Sequence, residues 1–450
     1  MTDIAIIVLA AGKGTRMKSD LPKVLHRAAG RSLLGHVLHA AKALEPREAV
    51  VVVGPEMDVV CDEARSVFPG AKPALQAERL GTGHAVSMAR SALEAFSGTV
   101  LILYGDVPLV SPETLGALAA LAAGGMAVLG FDAANPHGYG RLLQDKAGNV
   151  IGIREELDAS PAERAITLCN SGIIAIESAL LWALLPKLRN ANAKNEFYLT
   201  DLVELAVEAG TLCRLALCPE GEVSGVNDRV QLAAVEATLQ QAYRRRHMLN
   251  GATLVAPETV FFSADTVIGQ DVVIEPHVVF GPGVGIGSGV HILAYSHIEG
   301  AKVDSGARIG PFARLRPGAE IGQDAHVGNF VEVKKSTIGK GAKANHLTYI
   351  GDARVGAGTN IGAGTITCNY DGFEKHRTEI GEGVFVGSNT ALVAPVIVGD
   401  GASIAAGSVV TRNVPADALA ISRADLEFRE GWAKRFRDMK AARKAARNVK

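Results

Sequence analysis

An aliphatic residue recurs at every sixth position through long stretches of the second half of the chain, and few folds tolerate that beat. One run is Ile268, Ile274, Phe280, Ile286, Ile292 and Ile298. The next is Val303, Ile309, Leu315, Ile321, Val327 and Val333, and the last is Ile380, Val386, Leu392, Val398, Ile404 and Val410. Glycine often follows at once, as at Gly269, Gly287, Gly310 and Gly381. A helix repeats at about 3.6 residues and a simple strand at about two, so neither makes this pattern. A hexapeptide β-helix does. Three six-residue flat sides make one coil, each side sends one aliphatic inward, and coils stack at about 4.8 Å. Small residues suit the corners, where the chain turns sharply. The beat shortens to five residues after Ile298 and again after Val333, and between Val333 and Ile380 it falters while polar residues gather. The hexad does not report the handedness of the coil.

With 450 residues the chain has room for two or three domains with large cores. A formal net charge of −1 gives no global pull toward nucleic acid or an anionic membrane. The five cysteines are scattered, with no CxxC pair, which argues against a zinc site or a disulfide framework and for reduced thiols in the cytoplasm. The start, MTDIAIIVLAAGKG, has no basic leader before its apolar run and reads as a first strand. No stretch reaches the length of a membrane span.

Up to about residue 225, strand-like and helix-like segments alternate: strands at Ile4–Leu9, Ala49–Val53 and Thr99–Tyr104, helices at Leu33–Leu44 and His84–Phe96. This predicts a mostly parallel α/β sheet with helices on both faces, and a ligand site in loops after Leu9, Val53 and Leu103. From Arg229 to Leu249 neither Gly nor Pro occurs, which predicts one helix of roughly 30 Å joining the α/β part to the coil. The predicted division is 1–227, a linker helix 228–250, a β-helix 251–424 and a helical, basic tail 425–450.

The first of those loops reads L-A-A-G-K-G-T-R-M, Leu9 to Met17, with Pro22-Lys23 following. Gly12 and Gly14 let backbone N–H groups approach a triphosphate, and Lys13, Arg16 and Lys23 add positive charge. The spacing is neither GxxxxGK[ST] nor GxGxxG. This segment resembles the signature of sugar-phosphate nucleotidylyltransferases. Together with the hexapeptide coil, the chain from Leu9 to Arg423 resembles the bacterial bifunctional N-acetylglucosamine-1-phosphate uridyltransferase / glucosamine-1-phosphate N-acetyltransferase family. The resemblance implies a Rossmann-like α/β nucleotidyltransferase domain followed by a left-handed parallel β-helix.

Residue by residue, the resemblance implies a UTP site of Leu9, Ala10, Ala11, Gly12, Arg16, Lys23, Gln76, Gly81 and Thr82. An amide such as Gln76 offers a donor and an acceptor to uracil. For the sugar phosphate it implies Tyr104, Gly105, Asp106, Gly140, Glu155, Asn170 and Asn227. Asp106 and Asn227 are the implied ligands of Mg²⁺, although taken singly a strand-end Asp and an Asn before a helix are also ordinary caps. The family usually has Lys two residues after the glutamate, and this chain has Leu157.

In the polar stretch of the coil lie H-L-T-Y-I-G-D from His346 and N-Y-D-G from Asn369, the latter in a loop extruded around 369–377. An amine must lose a proton to attack a thioester, and imidazole is the usual base for that. The resemblance singles out His346. It places the sugar phosphate on Arg316, Lys334, Tyr349 and Asn360, while Lys375 is a nearby cation that matches no family position. For acetyl-CoA it implies Ala363, Asn369, Tyr370, Ser388, Ala406 and Arg423, with a backbone N–H near Ala363 donating to the oxyanion.

Together these predict a cytoplasmic enzyme that acetylates glucosamine 1-phosphate and then joins N-acetylglucosamine 1-phosphate to UTP. The product, UDP-N-acetylglucosamine, feeds peptidoglycan and lipid A synthesis in the family. The implied assembly is a homotrimer, with no nucleic-acid or membrane partner. The rival readings are a single-activity nucleotidylyltransferase whose coil is structural or regulatory, and a non-catalytic scaffold.

Overall fold

Ile4–Leu9 carries apolar side chains on both faces, and both are covered. Ile6 and Val8 enter one core, while Ala5 and Ile7 enter another on the opposite face. The same alternation splits Leu101 and Leu103 from Val100 and Ile102. A sheet buried on both sides by helices needs strands of this composition. The structure, a computed structural model, describes residues 3–447, which divide into two compact units.

The first unit is a nine-stranded sheet. Its order is Lys72–Leu75, Glu48–Val53, Ile4–Leu9, Thr99–Tyr104, Leu168–Glu177, Met126–Asp132, Cys213–Leu217, Val150–Arg154, Arg141–Gln144. The first four strands are mutually parallel, and Leu168–Glu177 runs antiparallel to both neighbours. Ile4–Leu9, the first of this sheet's strands in the chain, lies between the second, Glu48–Val53, and the fourth, Thr99–Tyr104. The loop after Leu9 therefore opens at a topological switch point, where α/β sheets bind ligands.

One helix departs from its sequence pattern and another follows it. Thr82–Ser87 ends early and continues as a 3₁₀ turn at Ser91–Leu93, where His84–Phe96 reads as one helix. The Ser87 hydroxyl donates to the His84 carbonyl at 2.7 Å, which competes with regular helix bonds. Arg229–Leu249 is a single helix as its composition dictates. Through residue 246 it belongs to the first unit, because Leu232, Val235 and Leu239 pack with Ala28, Leu33 and Val226. The Gln240 amide clamps this unit's short segment 261–264, donating to the Phe262 carbonyl at 2.7 Å and accepting its N–H at 2.8 Å.

The second unit is a left-handed parallel β-helix. Three parallel sheets of ten, eight and eight short strands form its flat sides. The hexad residues form the interior ladders: Ile274, Ile292, Ile309 and Val327 lie in the first, Ile286, Val303 and Ile321 in the second, Phe280, Ile298, Leu315 and Val333 in the third. The beat does not stop after Val333. Ile338, Ala344, Ile350, Val355, Ile361 and Thr367 take the next six inward places. Ala344 and Thr367 hide it from an aliphatic count, and a second five-residue step in this stretch, Ile350 to Val355, blurs the spacing. Thr367 is tolerated inside because its hydroxyl accepts from the Gly351 N–H at 2.8 Å and donates to the Gly351 carbonyl at 3.1 Å. The true interruption is the loop between Cys368 and Thr378. Beyond the coil, the tail forms the helix Trp432–Arg447.

Candidate functional sites

At the end of Ile4–Leu9, Gly14 turns the chain in the left-handed region, at φ 61°. A Cβ there would lie 2.5 Å from Cβ of Lys23, so glycine is required by conformation and by space. Nothing lies within 4 Å of where a Cβ on Gly12 would project, which leaves its backbone open to a ligand. The loop borders a cleft with a cavity volume of about 260 Å³. Of the expected UTP residues, Leu9, Ala10, Ala11, Gly12, Lys23, Gln76, Gly81 and Thr82 line it, and Tyr104 and Asp106 join them from the next strand. Gln76 is buried, and its Nε2 is 3.1 Å from the Gly81 carbonyl and 3.2 Å from Nδ1 of His84. Arg16 stands exposed on the 3₁₀ turn Thr15–Met17, outside that lining.

Arg79 and Glu196 also line the cleft, and sequence reasoning passed over both. Arg79 Nε donates to the Ala11 carbonyl at 2.8 Å, tying the Gln76 segment to the glycine loop. Its position inside Q-A-E-R was the available signal. Glu196 precedes Phe197, whose N–H donates to Leu80 and whose carbonyl accepts from Gly83, both at 2.8 Å.

The sugar-side residues form a second group. The Asn170 N–H donates to the Gly140 carbonyl at 2.8 Å, and a Cβ on Gly140 would come 3.4 Å from Oε1 of Glu155. Burial pushes the Glu155 carboxyl up, against a hydrogen bond from Thr200 and the charge of Lys194. Burial likewise raises Tyr104. Asp201 is pushed up to about 6 by burial first, then by Glu204 and Glu155. Leu157, where a lysine was expected, is exposed. Gly105 packs against Val24, 3.2 Å from the place of its Cβ.

Asp106 and Asn227 converge. The Lys23 ammonium bonds the Asp106 carboxylate and lies 3.1 Å from Oδ1 of Asn227. The Val226 N–H donates to the Asp106 carbonyl at 2.9 Å, which brings the two segments together. Asp228, not Asn227, caps the following helix, accepting from the Gln231 N–H at 2.9 Å. Two oxygens of the hard kind thus aim at one cationic position, a donor set that suits Mg²⁺ shared with phosphates. Among the described residues, no group of three or more His, Cys, Asp or Glu side chains is arranged to hold a metal.

In the β-helix, register sets the site. Asn329 pairs with His346 across successive coils. Two residues beyond the pair Ala344–Ile361, His346 comes level with Ala363. By the same step Ala363 is level with Ser388, and Ser388 with Ala406. Asn329, His346, Ala363, Ser388 and Ala406 therefore form one column on one corner. Arg423 joins it, its guanidinium donating to the Ala406 carbonyl at 2.7 Å. Next in each coil comes a residue with positive φ: Phe330, Leu347, Gly364, Asn389 and Gly407. The Asn329 amide, unremarked in the sequence, bonds Nδ1 of the exposed His346 at 2.7 Å. An amide oxygen there accepts Nδ1–H and leaves Nε2 as the free base.

On the third sheet, Arg316 follows inward Leu315, and Lys334 follows inward Val333 one coil later. In the next coil that position is Gly351, and a Cβ there would strike the Tyr349 hydroxyl at 2.4 Å. Arg316 pairs with Glu332 at 2.7 Å, and the neighbouring Lys375 ammonium lowers Lys334. Asn360 stands on the first sheet, above Lys343, on a different flat side from this cationic group. Asn369 and Tyr370 begin a tight loop in which Asp371 accepts from the N–H groups of Phe373 at 2.8 Å and Glu374 at 2.7 Å, and from His376 at 2.8 Å.

A family model described as the MobA-like NTP transferase domain matches residues 6–156, and the bacterial transferase hexapeptide model matches residues 377–412. A protein from Rhodospirillum rubrum is 57% identical over 97% of this chain and 98% of its own length. One from Xanthobacter autotrophicus is 55% identical over 96% and 97%, and one from Paramagnetospirillum magneticum 53% identical over 99% of both. All three carry the name bifunctional protein GlmU.

Proposed function

Since the chain belongs to the bifunctional GlmU family, we propose that its two units catalyse the family's two steps, acetylation of glucosamine 1-phosphate and uridylylation of the product. What carries this reading is the presence in one chain of two built sites of different chemistry: a glycine-lined cleft with paired oxygen donors, and an imidazole held by an amide in a column of small residues. We take 1–227 and 251–424 as the two catalytic parts, 228–250 as their connection and 425–450 as a tail.

In the β-helix, Nε2 of His346 takes the proton from the amine of glucosamine 1-phosphate as nitrogen attacks the acetyl-CoA carbonyl. The backbone N–H of Ala363 donates to the oxygen as it gains charge. The C–S bond then breaks and the coenzyme leaves as thiolate. Arg316 and Lys334, with Lys375 beside them, hold the sugar phosphate. Tyr349 and Asn360 orient the sugar. Asn369, Tyr370, Ser388, Ala406 and Arg423 line the acetyl-CoA path. Asn360 and the cationic group lie on different flat sides, which favours a homotrimer whose neighbouring chains complete each site.

In the α/β unit, Gln76, Gly81 and Thr82 hold uracil, and Gly12 offers its N–H to the phosphates. Arg16 and Lys23 neutralise charge as the sugar phosphate attacks the α-phosphorus and pyrophosphate leaves. Gly140, Glu155 and Asn170 hold the sugar, with Tyr104 and Gly105 shaping the floor. Mg²⁺ on Asp106 and Asn227 would supply further charge neutralisation and alignment. No covalent nucleophile is needed. The surroundings are cytoplasmic; among the described residues no helix is long and apolar enough to cross a membrane.

The test supplies glucosamine 1-phosphate, acetyl-CoA, UTP and Mg²⁺, and follows thiol and pyrophosphate release separately. Both should appear, pyrophosphate only after acetylation or with N-acetylglucosamine 1-phosphate added. Pyrophosphate without thiol would return the coil to a structural role.

A further inference from the structure

The position of the Lys23 ammonium is built by packing. Pro22 delivers the chain, the Lys23 stem passes against Gly14, and Val24 lies against Gly105. Side-chain exposures of 13% for Lys23 and 18% for Asp106 leave the pair mostly shielded from water. One nitrogen touches both oxygens assigned to the metal. Without a cation between them, a carboxylate oxygen and an amide oxygen held this close would repel each other.

From this geometry we infer that Lys23 is a resident counter-ion of the metal cradle. It keeps Asp106 and Asn227 converged in the nucleotide-free protein and releases them when a divalent ion arrives with the triphosphate. Ammonium and divalent ion cannot share one position, because like charges a few ångströms apart in a partly shielded site repel strongly. The displaced ammonium has phosphate oxygens to go to, since Lys23 lines the same cleft as the glycine loop. The metal therefore binds weakly alone and tightly with nucleotide. This rests on reading Asp106 and Asn227 as the metal ligands.

The experiment measures Mn²⁺ binding to the full-length, nucleotide-free protein by electron paramagnetic resonance, with circular dichroism to verify folding. Lys23→Met keeps the stem and removes the charge, and should tighten Mn²⁺ binding about tenfold. Lys23→Gln serves as the second neutral variant, and Lys23→Arg should remain as weak as the parent. An unchanged or weaker Mn²⁺ affinity in a folded neutral variant overturns the inference. Asp106→Asn separates the two ideas. If it binds Mn²⁺ like the parent, the ligand assignment fails; if it loses Mn²⁺ while neither neutral variant gains any, only the role of Lys23 fails.

Discussion

The two units assemble their sites by different means. In the α/β unit, the cleft draws on residues from Leu9 to Glu196, with Asn227 further on, and only the crossover order of the sheet explains why they meet. In the β-helix, the column from Asn329 to Ala406 follows from counting coils. A periodic fold writes its geometry into spacing, whereas a sheet with crossovers does not.

Function should separate along the same line. His346→Ala should cut thiol release about 10²- to 10⁴-fold, the range of a lost general base, while pyrophosphate release from UTP and N-acetylglucosamine 1-phosphate stays near the parent rate. Asp106→Ala should do the reverse. If either change, in a folded protein, silences both reactions, the independence of the two sites is lost.

Legibility in the sequence followed the same contrast. The hexad was visible at Ile268 to Val333, and the ladders were thereby predictable. It became unreadable where Ala344 and Thr367 replaced aliphatics, because an inward place asks for volume and satisfied bonds, not for a residue class. For the cleft, the glycine loop and the strand Thr99–Tyr104 were legible from pattern, and the rest came through family resemblance. Arg79 escaped because an arginine on a loop looks solvated until Ala11 is seen beneath it. Asn329 escaped because its partner lies one coil away. The Lys23 bridge joins residues 83 and 204 positions apart, a distance no local pattern spans.

Asn329 sharpens the comparison at the next level of effect. Asn329→Ala removes the acceptor that fixes Nδ1–H, so His346 would sample both tautomers and more rotamers. The acetyl step should slow about tenfold in kcat, with little change in KM for acetyl-CoA. The uridylyl step should not change. A loss equal to that of His346→Ala would mean that Asn329 meets substrate itself.

Thr367→Val tests whether the ladder is continuous through the faltering region. The substitution keeps volume but leaves the Gly351 N–H and carbonyl without the hydroxyl, so stability should fall by about 1–3 kcal/mol. Denaturant melts of the parent and the variant would measure this. A stability gain would show that the site accepts an aliphatic and that the threonine is incidental.

The smallest effect expected belongs to the sheet unit and has a sign set by pH. Asp201 titrates at about 6 in the folded protein, well above its ordinary value, because burial, Glu204 and Glu155 all disfavour its charge. A raised acidic group favours the folded state while it is protonated in both states, below its unfolded value. That support is lost as pH rises toward 6, and at neutral pH the charged form burdens the fold. Asp201→Asn removes the burden. The variant should be more stable than the parent by about 1–2 kcal/mol at pH 8, discounted from the full shift for partial solvent access. The gain should shrink through pH 6 and vanish near pH 4. In the polar stretch of the β-helix the causes differ: the Lys375 ammonium comes first in lowering Lys334, ahead of burial. A pH-independent gain in Asp201→Asn would instead assign the effect to helix capping at Leu202–Glu208.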